Sequence, residues 1–292
     1  MPYTLLARNS APGCGLLRVV RTGFVHVAGV LLGLGVAVGA AEPQPVRARL
    51  VADASAPAPG GTFQVGVLFE IEEGWHLYWK NPGDAGLATE VRLTLPSGLE
   101  AGPPRWPAPV RFTQPGGLVG YGYERSLLLA SEVRLAGRPP AAGTPVAAEA
   151  SWLACKDVCL LGSVRLEERW PLPAAAAEFE RWRAELPATD PPFSVNVTGG
   201  WSSGARRAAI TVWLSWPAPP GDVELFPEAG DRLKLSAPRV QTRGALTRVD
   251  LEATMVGGSG APPERLTAVV TARTAPESRR AWEIVIPLTA LP

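Results

Sequence analysis

Residues 151–162 read SWLACKDVCLLG and contain Cys155 and Cys159, which lie four positions apart. Strand-like runs flank the pair, at 146–154 and at 164–170. If the chain between the cysteines were extended, their Cα atoms would lie about 13 Å apart, at roughly 3.3 Å per residue. A disulfide requires less than about 7 Å, so a bonded pair needs a turn between the two strands. The stretch therefore predicts a strand that returns through a cysteine-bearing turn.

The residues before this turn predict several short strands. Apolar side chains alternate with smaller or polar ones over 61–71, the period of a strand with one buried face. Strand-like runs follow at 91–95 and 126–135, with a long proline- and glycine-rich connection at 102–122 between them. Short strands at this spacing indicate an antiparallel β-sandwich.

The second half of the chain predicts a helix and a second sandwich. Phe179, Trp182 and Leu186 fall at i, i+3 and i+7, which places them on one face of a helix. The residues from 193 onward again alternate in the manner of strands. We therefore expect an all-β protein whose two antiparallel sandwiches are joined by a short helix.

The first 41 residues predict an export signal. Arg18 and Arg21 form a positive flank, an apolar run covers 25–38, and small residues at 39–41 suit a signal peptidase. The alternative is an uncleaved membrane anchor, since the apolar segment is about long enough to span a bilayer. Both alternatives place the rest of the chain outside the cytoplasm.

The composition argues against a disordered protein and against a nucleic-acid-binding protein. Apolar residues make up 46% of the chain and charged residues 19%, which is typical of a globular protein and not of a disordered one. The formal net charge is +1. Removal of the predicted signal, which holds arginines but no acids, leaves a slightly negative protein without a basic footprint for nucleic acid.

The two cysteines are compatible with three kinds of site. A redox-active pair requires a thiolate, which Lys156 beside Cys155 favours and Asp157 opposes. A purely structural disulfide would close a very short loop and gain only about 2 kcal/mol. Two thiolates could also bind Cu(I), with His76 as a third ligand. Each of these three kinds of site uses Cys159 together with Cys155.

Four blocks of the sequence resemble a known family. They are GWHLYWKNPGDAGL at 74–87, RWPAP at 105–109, GLVGYGYE at 117–124 and SWLACKDVCLLG at 151–162. Together they are similar to the periplasmic N-terminal domain of the thiol:disulfide interchange protein DsbD, in the branch linked to suppression of copper sensitivity. The blocks keep their order and cover most of 61–170.

The resemblance implies an immunoglobulin-like sandwich whose cysteine pair, Cys155 and Cys159, shuttles electrons in the periplasm. In the family a membrane-embedded domain and a thioredoxin-like domain reduce the pair, which then reduces disulfide isomerases or cytochrome c maturation factors. The second cysteine usually forms the mixed disulfide, so Cys159 is the expected attacking thiol. Cys155 lies earlier in the turn, and we expect Trp152 and the aromatic lid described below to cover it. The best-known members have five residues between the cysteines, whereas this chain has three.

The resemblance also implies partners, and the chemistry of exchange itself calls for a cover over the pair. Thioredoxin-fold proteins are the expected partners, with a membrane thiol reductase supplied by a separate chain or missing from this one. No cofactor is expected. Exchange needs a pair that partners can reach but stray oxidants cannot. An aromatic lid from Trp75, Tyr78 and Trp79, or from Tyr121 and Tyr123, could supply that protection.

The sequence thus predicts four segments and one leading function. The segments are a signal peptide at 1–41, a sandwich with the cysteine pair at 42–172, a connecting helix and linker at 173–192, and a second sandwich at 193–292. Both sandwiches are expected to be immunoglobulin-like. The leading function is thiol:disulfide interchange in the periplasm. The alternatives are a non-catalytic binding or scaffold module with a structural disulfide, and a copper-handling protein.

Overall fold

The computed structural model describes residues 44–288, except for 55–59, 203, 229, 231, 258–259 and 276–277. The export signal predicted at 1–41 lies outside the described residues. By its contacts the described chain belongs to one unit, Pro43–Pro292. Its strands pair antiparallel in every sheet. No helix of the described part is long and apolar enough to cross a membrane.

The first sandwich consists of two antiparallel sheets. Its strands are β1 (Val46–Ala52), β2 (Thr62–Ile71), β3 (His76–Gly83), β4 (Glu90–Thr94), β5 (Leu99–Arg105), β6 (Val110–Thr113), β7 (Val119–Glu124), β8 (Ser126–Leu135), β9 (Pro145–Cys155) and β10 (Cys159–Arg169). One sheet has the order β1-β2-β8-β5, and the other has the order β10-β9-β3-β7-β6, with β4 also paired to β9. Phe69, Trp79, Leu129 and Trp152 are among the large side chains that fill the core.

The second sandwich follows the single α-helix of the described residues, α1 (Ala176–Glu185). Its strands are β11 (Ser194–Gly199), β12 (Arg207–Ser215), β13 (Gly221–Pro227), β14 (Leu233–Leu235), β15 (Arg239–Arg243), β16 (Leu246–Met255), β17 (Arg265–Ala275) and β18 (Ser278–Pro287). One sheet is β11-β12-β16-β14 with β15 on β16, and the other is β13-β17-β18. The predicted fold class, all-β with one short helix, is confirmed.

The connection predicted at 102–122 is wrong, because most of this segment forms β5, β6 and β7. β5 and β6 are outer strands of their sheets, where a proline does not remove a hydrogen bond that the sheet needs. Pro104 lies in β5 and coincides with a shift in register against β8. Gly122 lets β7 approach β3, since a Cβ there would lie 1.9 Å from the carbonyl oxygen of Leu77.

Helix α1 covers the outer face of the first sheet. Phe179 and Trp182 are buried against Val51, Leu68 and Leu128, which β1, β2 and β8 contribute. The predicted apolar stripe of the helix is therefore confirmed for these two aromatic residues. The apolar stripe of the helix thus faces the apolar outer face of this sheet.

The two sandwiches pack against each other next to β3. Phe226 of β13 joins the first core and makes edge contacts with Trp79 and Tyr121, at centroid distances of 6.4 and 5.2 Å. The side chain of Asn81 donates a hydrogen bond of 2.6 Å to the carbonyl oxygen of Pro227. Strand β3 thus runs from the contact with the second sandwich to the cysteine hairpin.

Candidate functional site

The two cysteines close the hairpin formed by β9 and β10. Cys155 is the last residue of β9 and pairs with Cys159, the first residue of β10. The backbone N–H of Lys156 donates a hydrogen bond of 3.0 Å to the carbonyl oxygen of Val158, which holds the turn. The Cα atoms of the cysteines lie 4.2 Å apart and their sulfur atoms form a disulfide. The turn predicted from the cysteine spacing is confirmed.

The two halves of the disulfide differ in their access to solvent. Cys155 is only 2% exposed, whereas Cys159 belongs to the exposed residues of β10. The difference arises because the sheet continues beyond Cys155 into β3 but ends at β10, which is an outer strand. A protein that approaches the hairpin therefore meets Cys159 first.

An aromatic pocket surrounds Cys155. Tyr78, Phe112 and, at its border, Leu153 pack against this cysteine. The hydroxyl of Tyr78 donates a hydrogen bond of 2.8 Å to Oε1 of Gln114. Burial raises the pKa of Tyr78 above its usual value, so the phenol stays protonated at neutral pH. The pocket around Cys155 is therefore apolar, and its one phenol is already engaged.

Phe112 and Gln114 are not among the residues that the sequence predicts to cover the cysteine pair. Both lie in the segment 102–122, and the pairing of β6 with β7 and of β7 with β3 brings them to the cysteines. The ring of Phe112 lies 5.6 Å from that of Tyr78. The sequence signal for Phe112 is its aromatic side chain, which needs a surface to pack against although it lies in a segment rich in proline and glycine.

His76 links the cysteine strand to β7. It lies opposite Cys155 on one side and opposite Glu124 on the other. Its Nδ1 lies 3.4 Å from the carbonyl oxygen of Cys155, and its Nε2 lies 2.9 Å from Oε1 of Glu124. The imidazole stacks on Phe112 with 4.1 Å between ring centroids. Both ring nitrogens thus face oxygen atoms of the protein, whereas a copper site would use one of them as a ligand.

Other aromatic residues predicted to cover the pair pack elsewhere. Trp152 lies in the first core, where its indole covers Gly162; a Cβ there would come within 2.3 Å of the ring. Trp79 is also buried in that core, and Trp75 packs against it while partly exposed. Of the three residues predicted from the β3 region, Tyr78 is thus the one in the pocket around Cys155.

Tyr121 and Tyr123 lie in the interior of the molecule. Burial raises the pKa of Tyr121 to about 12, and Asp84 and Glu224 add to this increase while Arg111 opposes it. The hydroxyl of Tyr123 donates a hydrogen bond of 2.8 Å to a backbone carbonyl, and burial raises its pKa well above the usual value. Both phenols are therefore neutral packing residues at physiological pH.

The charged residues of the turn point away from the pocket or into solvent. The ammonium group of Lys156 lies 3.4 Å from the carbonyl oxygen of Glu73, and its side chain passes over Gly74. Asp157 is exposed. Lys156 is thus directed toward the turn that precedes β3.

Exposed apolar side chains lie next to Cys159. Val158 is 60% exposed and Leu161 is 74% exposed. Leu161 pairs with Leu153 across the hairpin, so it extends the face that carries the disulfide. We call Val158 and Leu161 the apolar rim. Contiguous exposed apolar patches are one mark of protein interaction sites.

Within the described part of the chain, no group of three or more His, Cys, Asp and Glu side chains is placed to hold a metal ion.

Comparisons with known proteins concern the first sandwich and the overall fold. Residues 42–170 match the family model of the thiol:disulfide interchange protein DsbD, N-terminal. The structure is similar to the N-terminal periplasmic domain of ScsB from Proteus mirabilis, with a TM-score of 0.62 and 20% identity over 84% of this chain and 93% of that one. A second solved structure, the Enterococcus faecalis MSCRAMM ACE, aligns at a TM-score of only 0.23, with 10% identity over 81% of this chain and 92% of that one. No curated protein matches the chain.

Proposed function

We infer the function from residues 42–170, which match the family model of the thiol:disulfide interchange protein DsbD, N-terminal. On this basis we propose that the chain is a thiol:disulfide interchange module. We propose that it works in the periplasm and passes electrons through Cys155 and Cys159 to thioredoxin-fold proteins. The observation that carries the proposal is a disulfide at a hairpin turn with one exposed and one buried cysteine.

Each half of the pair has a separate role in the proposed exchange. In the reduced protein the Cys159 thiolate attacks a disulfide of the partner, whose bond breaks and leaves one partner sulfur as a thiolate. The Cys155 thiolate then attacks the sulfur of Cys159 in the mixed disulfide. The second partner sulfur departs with the electron pair, and the Cys155–Cys159 disulfide forms. The partner gains two electrons and the module loses two.

The module also needs a source of electrons and a surface for docking. We propose that a membrane-embedded thiol reductase, on a separate chain or on a part of the protein not contained in this sequence, returns the pair to its reduced form. Disulfide isomerases and cytochrome c maturation factors are the proposed acceptors. The apolar rim supports docking, because it offers exposed apolar surface directly beside the sulfur that the partner must reach.

A transfer assay tests this proposal. We expect each molecule of the reduced protein to reduce one molecule of an oxidised thioredoxin-fold disulfide isomerase. The Leu161→Asp variant should slow this transfer about tenfold, because a charge weakens apolar docking by about 1.4 kcal/mol. Val285→Asp is the matched control, since Val285 is equally an exposed apolar residue of an outer strand but belongs to the second sandwich.

Acid quenching followed by thiol alkylation and gel analysis measures both redox partners over time. Transfer no faster than with a small dithiol such as dithiothreitol would contradict the proposed function. Equal rates for the Leu161→Asp and Val285→Asp variants would contradict the docking role of the apolar rim.

A further inference from the structure

We propose that His76, held in place by Glu124, is a positioning residue that stabilises the thiolate of Cys155 during exchange. This inference rests on the proposed function and names a further residue for the same site. It is independent of the identity of the partner, because it concerns a property of the reduced protein alone.

The imidazole of His76 is fixed from three sides. Cross-strand pairing places it opposite Cys155 and opposite Glu124, and stacking on Phe112 with an interplanar angle of 14° sets the plane of the ring. Its side chain is only 16% exposed. Directly opposed residues of an antiparallel pair place their Cβ atoms about 5 Å apart and on the same face of the sheet. The side chains of His76 and Cys155 are therefore neighbours on the same face of the sheet.

The hydrogen-bond partners of His76 suit the protonated ring. Both ring nitrogens face acceptors, namely the carbonyl oxygen of Cys155 and the carboxylate of Glu124. A neutral imidazole carries one N–H and can donate to only one of them, whereas an imidazolium donates to both. A protonated ring would therefore satisfy both acceptors and place a positive charge on the strand next to Cys155.

Cys155 needs such a charge because its other neighbours are uncharged. It is buried among Tyr78, Phe112 and Leu153, and apolar surroundings disfavour a thiolate. The resolving step nevertheless requires Cys155 as a thiolate. An opposite charge within about 4–6 Å favours the charged form of a group. His76 supplies this charge from the strand next to the cysteine.

The other charged residues near His76 come from three segments. They are Glu124 at the end of β7 with Arg125 directly after it, Glu72 and Glu73 in the turn before β3, and Lys156 and Asp157 between β9 and β10. Lys156 is the cation nearest to the cysteines in sequence, but its ammonium group contacts the carbonyl oxygen of Glu73. His76, in contrast, contacts the backbone carbonyl oxygen of Cys155 and lies opposite this cysteine on the neighbouring strand.

The pH dependence of thiol alkylation tests the inference. In a Cys159→Ser background, the rate at which iodoacetamide modifies the remaining pocket cysteine gives the apparent pKa of Cys155. We expect His76→Gln, which keeps a hydrogen-bond donor but no charge, to raise this value by about one unit, a tenfold change in thiolate fraction. Glu124→Gln should raise it by a smaller amount, because the imidazolium loses its partner.

Glu149→Gln is the matched control, since Glu149 is an exposed acid of β9 that pairs with Arg165. This variant should leave the alkylation profile unchanged. If both His76→Gln and Glu124→Gln leave the pH profile of Cys155 alkylation unchanged, the inference is overturned. If His76→Gln does not fold, an unchanged profile in Glu124→Gln is sufficient to overturn it. The transfer assay tests the proposed function, whereas the alkylation profile tests the role of His76. The profile can be measured even if no transfer occurs, so a failure of one proposal can be distinguished from a failure of the other.

Discussion

The Cys155→Ala variant is expected to trap a covalent complex with a thioredoxin-fold partner, whereas Cys159→Ala should trap little. The reason is access, because Cys159 lies exposed on an outer strand and Cys155 is 2% exposed within an aromatic pocket. Without Cys155, the mixed disulfide on Cys159 cannot be resolved by its neighbour. Diagonal gels of periplasmic extracts, quenched with acid, show the adducts.

Both variants should remain folded in this experiment. A bridge across so short a loop contributes only about 2 kcal/mol, and circular dichroism of the purified variants provides the control. Equal trapping by both variants would contradict the separate roles of Cys155 and Cys159 while keeping the exchange mechanism. The absence of adducts from two folded variants would instead support a structural disulfide.

The Trp79→Ala variant should lose about 3–5 kcal/mol of unfolding free energy, the usual cost of removing a large buried aromatic side chain. Trp79 is fully buried in the first core, and it also contacts Phe226 of the second sandwich. Its removal therefore weakens one core and the contact between the sandwiches. Denaturant unfolding monitored by fluorescence and circular dichroism measures the change.

Trp213→Ala is the control for this measurement. Trp213 lies partly exposed on β12 under the guanidinium of Arg248, 5.5 Å from the ring centroid, and its loss should cost less than about 1 kcal/mol. If Trp79 covered the disulfide instead of filling the core, its removal would hardly change stability and would speed the attack of glutathione on the disulfide. That combination would contradict the core assignment.

The features that depend on neighbouring residues could be predicted from the sequence. Alternation over 61–71 predicts β2, because the period of a strand with one buried face is visible within a few residues. The spacing of Cys155 and Cys159 predicts the turn, because a disulfide restricts the distance between Cα atoms. Phe179 and Trp182 predict the buried face of the helix for the same local reason.

The composition of the aromatic pocket could not be predicted in this way. Tyr78 reaches Cys155 because β3 pairs with β9, and Phe112 reaches it because β6 and β7 extend the same sheet. The prolines and glycines at 102–122 conceal these strands, since an outer strand tolerates residues that a central strand does not. Which aromatic residues surround the pair therefore depends on pairing between distant segments.

The exposure of Cys159 and the position of His76 have the same origin. Sequence spacing treats the two cysteines alike, and the order of the strands makes one of them an edge residue. His76 could be considered a copper ligand from its residue type alone. The structure instead shows contacts with Cys155 and Glu124, which are distant in the sequence. Strand order, and not local pattern, thus distinguishes the roles of these side chains.

The equilibrium reduction potential of the Cys155–Cys159 disulfide tests whether the pair is a reversible redox couple in the folded protein. The protein is equilibrated in glutathione or dithiothreitol buffers of graded potential, quenched with acid, alkylated and quantified. We expect a single two-electron transition above about −300 mV, the value below which structural disulfides typically lie, with an unchanged near-ultraviolet circular dichroism spectrum. A disulfide that stays oxidised until the protein unfolds would contradict the proposed exchange.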